Sequence, residues 1–222
     1  MGWTEFIAAF AVFFLSHSVP VRPAVKARFV AHVGQRGFTL GYSVLSLAVL
    51  VWVIGAAGRA PFVPVWDWAP WQPHVTLTLM LAACLILGLA VARPNPFSFG
   101  GARNDRFDAA RPGLVRYMRH PLLVAMALWA VGHLIPNGDL AHVILFGSFA
   151  AFALAGGTLV DRRRRREMGA DWHRVREAVT AAPLWPRPAN WVGALLRLGL
   201  GAGLYAALIV AHPVVLGVSP LG

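Results

Sequence analysis

The stretch RPGLVRYMRHPLLVAMALWAVGHLIPNGD, residues 111–139, carries the groups most able to do chemistry. Arg111, Arg116 and Arg119 lead into His120-Pro121, and an apolar run then holds His133 before the chain turns at Pro136-Asn137-Gly138-Asp139. On one helix the two histidines stand roughly 20 Å apart. An imidazole at the depth of His133, among Trp129, Val131, Leu134 and Ile135, is costly in hydrocarbon, so it marks a functional candidate. Two accounts fit it: a core histidine bonded to a neighbouring helix, or a metal ligand. His120 also has two. It caps the start of a helix in a solvated basic flank, or it joins Arg116 and Arg119, whose guanidinium forks match carboxylate and phosphate, in holding an anionic cofactor group.

Six hydrophobic segments position these groups, over about 4–19, 37–57, 74–92, 116–135, 140–160 and 190–211, each long enough or nearly so to cross a bilayer. The 222 residues are 58% hydrophobic and 13% charged, and the mean hydropathy is +0.61. With the apolar residues in runs rather than in a helical stripe, lipid is the solvent, and the fold class is an all-α membrane protein in a single domain. The first run carries Glu5, lacks a basic leader and has no small-residue cleavage site, so it reads as a retained helix. Pro61, Pro64, Pro70 and Pro73, with Trp66, Trp68 and Trp71, make the second connection an interfacial loop. The short NGD turn requires the fourth and fifth helices to be antiparallel neighbours.

The formal charge of +11 is confined to alternate connections, which argues against nucleic acid. Four of the twenty basic residues fall in the first connection, six in the third and eight in the fifth, Arg187 among them, leaving Arg59 and Arg197. By the positive-inside rule both termini face away from the cytoplasm. Arg162–Arg166 reads as a flank reaching toward anionic headgroups. Residues 167–182 read as an amphipathic surface segment with Trp172, Val175 and Val179 on its apolar side. Gly199 and Gly203 form a GxxxG spacing that admits a neighbouring helix. Cys84 reads as a small buried hydrophobe, and one cysteine excludes an intrachain disulfide.

Of the remaining histidines, His32 and His173 lie in solvated basic segments, and His74, His142 and His212 lie at the outer helix ends. His17 stands near the inner end of the first helix. No HExxH, paired-cysteine or EF-hand spacing accompanies them, so zinc and calcium sites lack support. Haem needs one or two axial imidazoles, an apolar slot and basic residues near its propionates, and those ingredients are present.

LSHSVP near the start, RYMRHPLLVAMALWAVGHLIPNGD, GGTLVDRRRRREMGADWHRVREAV and IVAHPVVLG together resemble the NnrU family over nearly the whole chain. The resemblance implies a bacterial integral membrane protein associated with nitrite and nitric oxide metabolism during denitrification. The family is similar in turn to the plant 15-cis-zeta-carotene isomerase, a haem b membrane enzyme. By that likeness His17 and His133 match the proposed haem ligands and His120 the histidine of an RHP motif. Ala130 stands where the isomerase has a cysteine. Depth along the helices puts His133 roughly 20 Å from the arginine-rich face and His17 roughly 10 Å. A shared iron therefore requires the first helix to be displaced outward; otherwise His133 has another partner or there is no haem. A wider likeness, to isoprenylcysteine and phospholipid methyltransferases, rests on RHP opening a helix and an acidic, amphipathic stretch after the next. Asp161 stands alone where those enzymes carry paired glutamates. The expected function is a haem b-associated protein with isomerase-like or redox chemistry on an apolar small molecule. The alternatives are an S-adenosylmethionine-dependent methyltransferase of lipid or prenyl groups, and a non-catalytic regulator or assembly factor.

Overall fold

A computed structural model describes residues 2–185, 188 and 190–221; Arg187, counted above in the fifth connection, lies outside the described residues. The described residues form seven α-helices and no strand: α1 Gly2–Ser18, α2 Pro23–Gly58, α3 Gln72–Ala90, α4 Pro121–Leu134, α5 Leu140–Met168, α6 Ala170–Ala181 and α7 Trp191–Leu216. Four of them, α2, α3, α5 and α7, are long and apolar enough to cross a membrane, and α4 is a shorter apolar helix. The fold class is all-α and membrane-embedded.

The chain divides into two units, Met1–Asp67 with Gly138–Leu145, and Trp68–Asn137 with Phe146–Gly222. In the first, α1 packs on α2 through Phe6, Ala9, Val49 and Val53. Glu5 at the start of α1 pairs with Arg59 just past the end of α2, so the two helices run antiparallel. Helix α2 starts at Pro23, well before the expected residue 37. Proline at the first helical position is pre-organised for a helix, and the break falls inside the element instead, at Gly34 (φ 73°, ψ 167°). Such a backbone is open to glycine and strained for other residues. The tryptophan-rich connection closes with Val65 N–H and Leu140 N–H donating to Gly138 and Val63 carbonyls (2.7 and 2.9 Å).

In the second unit α3 packs against both α4 and α7. Helices α4 and α5 are antiparallel, as the short turn requires: His133 meets Phe146 at one end and His120 meets Gly157 at the other. Helix α4 begins at Pro121 rather than near residue 116. His120 precedes a proline, and the ring excludes the α conformation there; His120 is accordingly at φ −120°, ψ 66°. The preceding residues form a short 3-10 turn, Gly113–Arg116. Helix α7 continues past His212 to Leu216, with Pro213 inside it.

The GxxxG expectation is corrected. A Cβ on Gly199 or Gly203 would meet nothing within 4 Å, whereas one on Gly201 would stand 2.7 Å from the Cys84 carbonyl oxygen of α3. The apolar stripe of α7 is nearly continuous, so spacing alone did not pick the contact face. Gly201→Ala should destabilise the protein by about 1–3 kcal/mol through overpacking, and Gly199→Ala should not. Thermal unfolding of the two variants in detergent checks this, and equal behaviour would refute the crossing. Cys84 is buried in that contact.

Outside the apolar helices a small second core forms. Trp172 and Val179 of α6 pack on Phe97 and Val115 of the 91–120 connection, with Val175, Phe107 and Met168 at its edge. The apolar side expected of residues 167–182 thus meets protein.

Candidate functional site

The site grows from Pro121. Because the proline starts α4 and holds His120 outside the helix, the His120 side chain makes no capping bond. It turns instead onto α5, where Gly157 leaves room: a Cβ there would lie 3.2 Å from His120 Cδ2. Gly156 does the same for Leu123. One turn beyond Gly157 the same helix face presents Asp161.

Asp161 receives two partners. Its Oδ1 lies 3.0 Å from His120 Nε2, and its Oδ2 accepts from Arg119 Nη2 at 2.8 Å. On the other side of the ring, His120 Nδ1 lies 3.1 Å from Ser98 Oγ. His120 is 8% exposed, Asp161 7% and Ser98 1%. The solvated reading of His120 is therefore overturned, because both ring nitrogens are engaged by protein in a dry setting. Burial is the largest influence on the ring and pushes its pKa below the usual histidine value, against the pull of the Asp161 charge. The resting imidazole is neutral at pH 7.

The loop between α3 and α4 holds this arrangement. Asn95 is buried and donates from Nδ2 to the Arg119 carbonyl (2.9 Å), while its Oδ1 accepts from Phe97 N–H (3.1 Å). Arg164 Nη2 donates to the Ser98 carbonyl (3.0 Å). The arginine run after Asp161 is thus not wholly a lipid-facing flank: Arg164 turns inward and Arg165 lies 4.2 Å over the Trp172 ring. Although serine, histidine and aspartate line up as in a nucleophile relay, Ser98 is sealed from any substrate. The chain of bonds is a clamp.

Arg119 is the exception to this closure. Its side chain is 36% exposed, yet its Nε is buried and has no hydrogen-bond partner among the described residues. It lies with His120 at the head of a groove of about 290 Å³ whose walls are Leu123, Val124, Ala127, Ala153 and Leu154. A polar head on an apolar slot suits an amphipathic molecule. A larger hollow, about 440 Å³, lies along α6 between His173 and Ala181, and among the described residues no group from another element joins its lining.

The other expected site residues fall elsewhere. Arg116 donates from Nε to the Ala182 carbonyl (3.0 Å) and ties the loop to the end of α6. His133 stands at the far end of α4 from Arg119, its Nδ1 on the Trp129 carbonyl (2.8 Å) and its ring among Trp129 and Phe146. His17, in the other unit, bonds the Phe13 carbonyl through Nδ1 (2.8 Å) and stacks on Phe13. A histidine fixed through Nδ1 presents Nε2 as a ligand. Exposed His32 makes the same bond, however, so the bond alone does not mark a ligand. Among the described residues no group of three histidine, cysteine or acidic side chains could hold a metal ion. As a haem site the expected residues fit in part. His133 suits one axial ligand in an aromatic slot, but Arg116 and Arg119, about 20 Å away along α4, cannot reach the propionates of that haem.

The family model described as NnrU protein matches residues 5–220. This chain belongs to the NnrU family. No curated protein and no solved structure matches the NnrU chain. Sequence reasoning singled out Arg119 with His120 and, separately, Asp161, and in the NnrU protein Asp161 bonds both. It missed Ser98, Asn95 and Gly157. Asn95 and Ser98 sit in a loop without periodicity; the Gly156-Gly157 pair was the one visible signal of close approach.

Proposed function

We propose that this NnrU-family protein binds an amphipathic small molecule in the α4–α5 groove, in a bacterial inner membrane with both termini periplasmic, in support of nitrite and nitric oxide metabolism. The observation that carries the binding reading is Arg119 Nε, buried and without a hydrogen-bond partner among the described residues, at the polar head of an apolar groove. An anionic head, carboxylate above all, supplies the missing acceptor, and Asp161 with His120 holds the guanidinium in place. The nitrogen-oxide role rests on the family resemblance.

Photo-crosslinking in proteoliposomes with a diazirine-bearing fatty acid tests this. Adducts are expected at Leu123–Ala127 and Ala153–Leu154. They should fall about tenfold or more in Arg119→Gln, which loses a charge-assisted bond, and also in Ala153→Leu, which fills the slot. Adducts spread over exposed helix faces and indifferent to both substitutions would refute the site. S-adenosylmethionine belongs in the same experiment as a competitor, because the methyltransferase likeness rests on the RHP motif that carries Arg119 and His120 and on the acidic stretch that begins at Asp161. Competition would shift the ligand class to that cofactor.

A second reading concerns His133. Its aromatic slot and Nδ1 bond favour a role as one axial ligand of haem b, which when bound would supply redox chemistry or bind a diatomic gas. His133→Ala should then abolish or shift a Soret band while the protein still inserts, since alanine removes a costly imidazole from an apolar helix. His32→Ala should leave the spectrum unchanged. An unaltered spectrum in His133→Ala leaves that residue as a packed core histidine.

A further inference from the structure

The crossing of α3 and α7 gathers a different set of charges. Gly88 and Gly201 approach so closely that a Cβ on Gly88 would lie 2.9 Å from the Gly201 nitrogen. One turn before Gly201, Arg197 therefore lies across the C-terminal end of α3. Its Nη1 donates to the Val91 carbonyl (3.0 Å) and, more weakly, to that of Gly88 (3.4 Å). A cation there complements the helix dipole. Nη2 and Nε have no partner among the described residues.

Past Val91 the chain doubles back. Ala92 N–H donates to the Gly100 carbonyl (3.1 Å), Ala102 N–H to the Arg93 carbonyl (3.2 Å), and Asn95 N–H to Asn104 Oδ1 (2.8 Å). These bonds set Arg93 opposite Ala102 and bring Arg103 beside it. Arg103 is held in the left-handed region, φ 54°, as is Ala92 at φ 57°. Non-glycine residues adopt that region at a cost, which persists only where the surroundings impose it. Arg93 and Arg103 lie close enough for their charges to act on Arg197.

Among the described residues none of these three arginines pairs with a carboxylate. Several other arginines do: Arg111 with Asp108, Arg163 and Arg164 with Glu167, and Arg174 with Asp171. Arg93 and Arg103 bring like charge to bear on Arg197, and like charges gathered in this way repel one another. Guanidiniums gathered on neighbouring segments suit an anion with several acceptor oxygens, which their forks match in shape and charge.

We propose that Arg93, Arg103 and Arg197 form a binding site for a phosphate group at the arginine-rich boundary of the membrane, donated by an anionic phospholipid headgroup or by free phosphate. The site shares no residue with the α4–α5 groove and does not depend on what the groove holds.

Native mass spectrometry of the full-length protein, with phosphatidic acid and diacylglycerol of the same chains offered together, tests it. The two lipids differ only in the phosphate. Phosphatidic acid should be retained and diacylglycerol lost. In Arg93→Gln/Arg103→Gln, retention should fall about tenfold or more. Both side chains are exposed, so folding is not at stake. Arg162→Gln/Arg166→Gln, with the same change in net charge, should stay within about twofold of the wild type, as expected for diffuse surface charge. Displacement of the lipid by millimolar inorganic phosphate would assign the site to soluble phosphate, and its failure to displace would assign it to the headgroup. Wild-type retention in the Arg93/Arg103 variant, or an equal loss in the control, would overturn the site and leave a diffuse basic surface.

Discussion

Asp161→Ala should be among the most damaging single substitutions in this protein, lowering the unfolding free energy by about 2–4 kcal/mol. The carboxylate holds two groups at once, His120 Nε2 and Arg119 Nη2. Its removal leaves a buried imidazole nitrogen without a partner and a guanidinium without its counter-charge. Breaking a fully buried ion pair costs about 3–5 kcal/mol. Arg119 is a third exposed, so water recovers part of its solvation and the expected loss sits below the top of that range. Asp161→Asn should be milder, because the amide still bonds both neighbours and only the charge is lost. A double-mutant cycle with Arg119→Ala separates the pair from the site: the two substitutions should be less than additive. Thermal unfolding in detergent is the measurement, with groove crosslinking as the second readout. If Asp161→Ala unfolds at the wild-type temperature, the cluster is not what holds α4 to α5.

Trp172→Ala should cost about 3–5 kcal/mol, as expected for deleting a large buried aromatic side chain. The ring is fully buried, edge-on to Phe97 (centroids 6.2 Å apart), with the Arg165 and Arg176 guanidiniums 4.2 and 5.1 Å from its centroid. It is the centre of the core that ties α6 to the loop carrying Asn95 and Ser98, so its loss should also expose that loop to protease. Trp172→Phe should cost much less. The indole Nε1 is buried without a hydrogen-bond partner among the described residues, and a phenyl ring removes that unsatisfied donor while keeping an aromatic face for the arginines. Equal damage from both substitutions would mean that Nε1 has a partner in the working protein.

The candidate site was legible only in pieces. His120 stood out because an RHP motif opens a helix, and Asp161 because it is a lone acid before five arginines. Nothing in the spacing placed Asp161 one turn beyond a glycine that lets His120 approach. Ser98 and Asn95 were not legible, since their roles come from a loop folded back by its own hydrogen bonds. His133 drew attention by depth, an axial coordinate that sequence supplies. Its neighbours around the helix, Phe146 of α5 and Trp129 of its own helix, are set by packing.

The sequence by itself determined the membrane class, the antiparallel α4–α5 pair and the apolar side of α6. All of these follow from local composition, chain connectivity and helical periodicity, which act over one or two turns. Tertiary structure decided which glycines touch, Gly88 and Gly201 in place of Gly199 and Gly203. It also decided that His120 is buried on Asp161 rather than solvated, and that Arg119 heads the groove while Arg116 only ties a loop. In an apolar helix nearly every face is hydrophobic, so the pattern carries no signal for the direction in which a side chain points. That direction is settled where two backbones come close enough to exclude lipid and leave a polar group facing a partner.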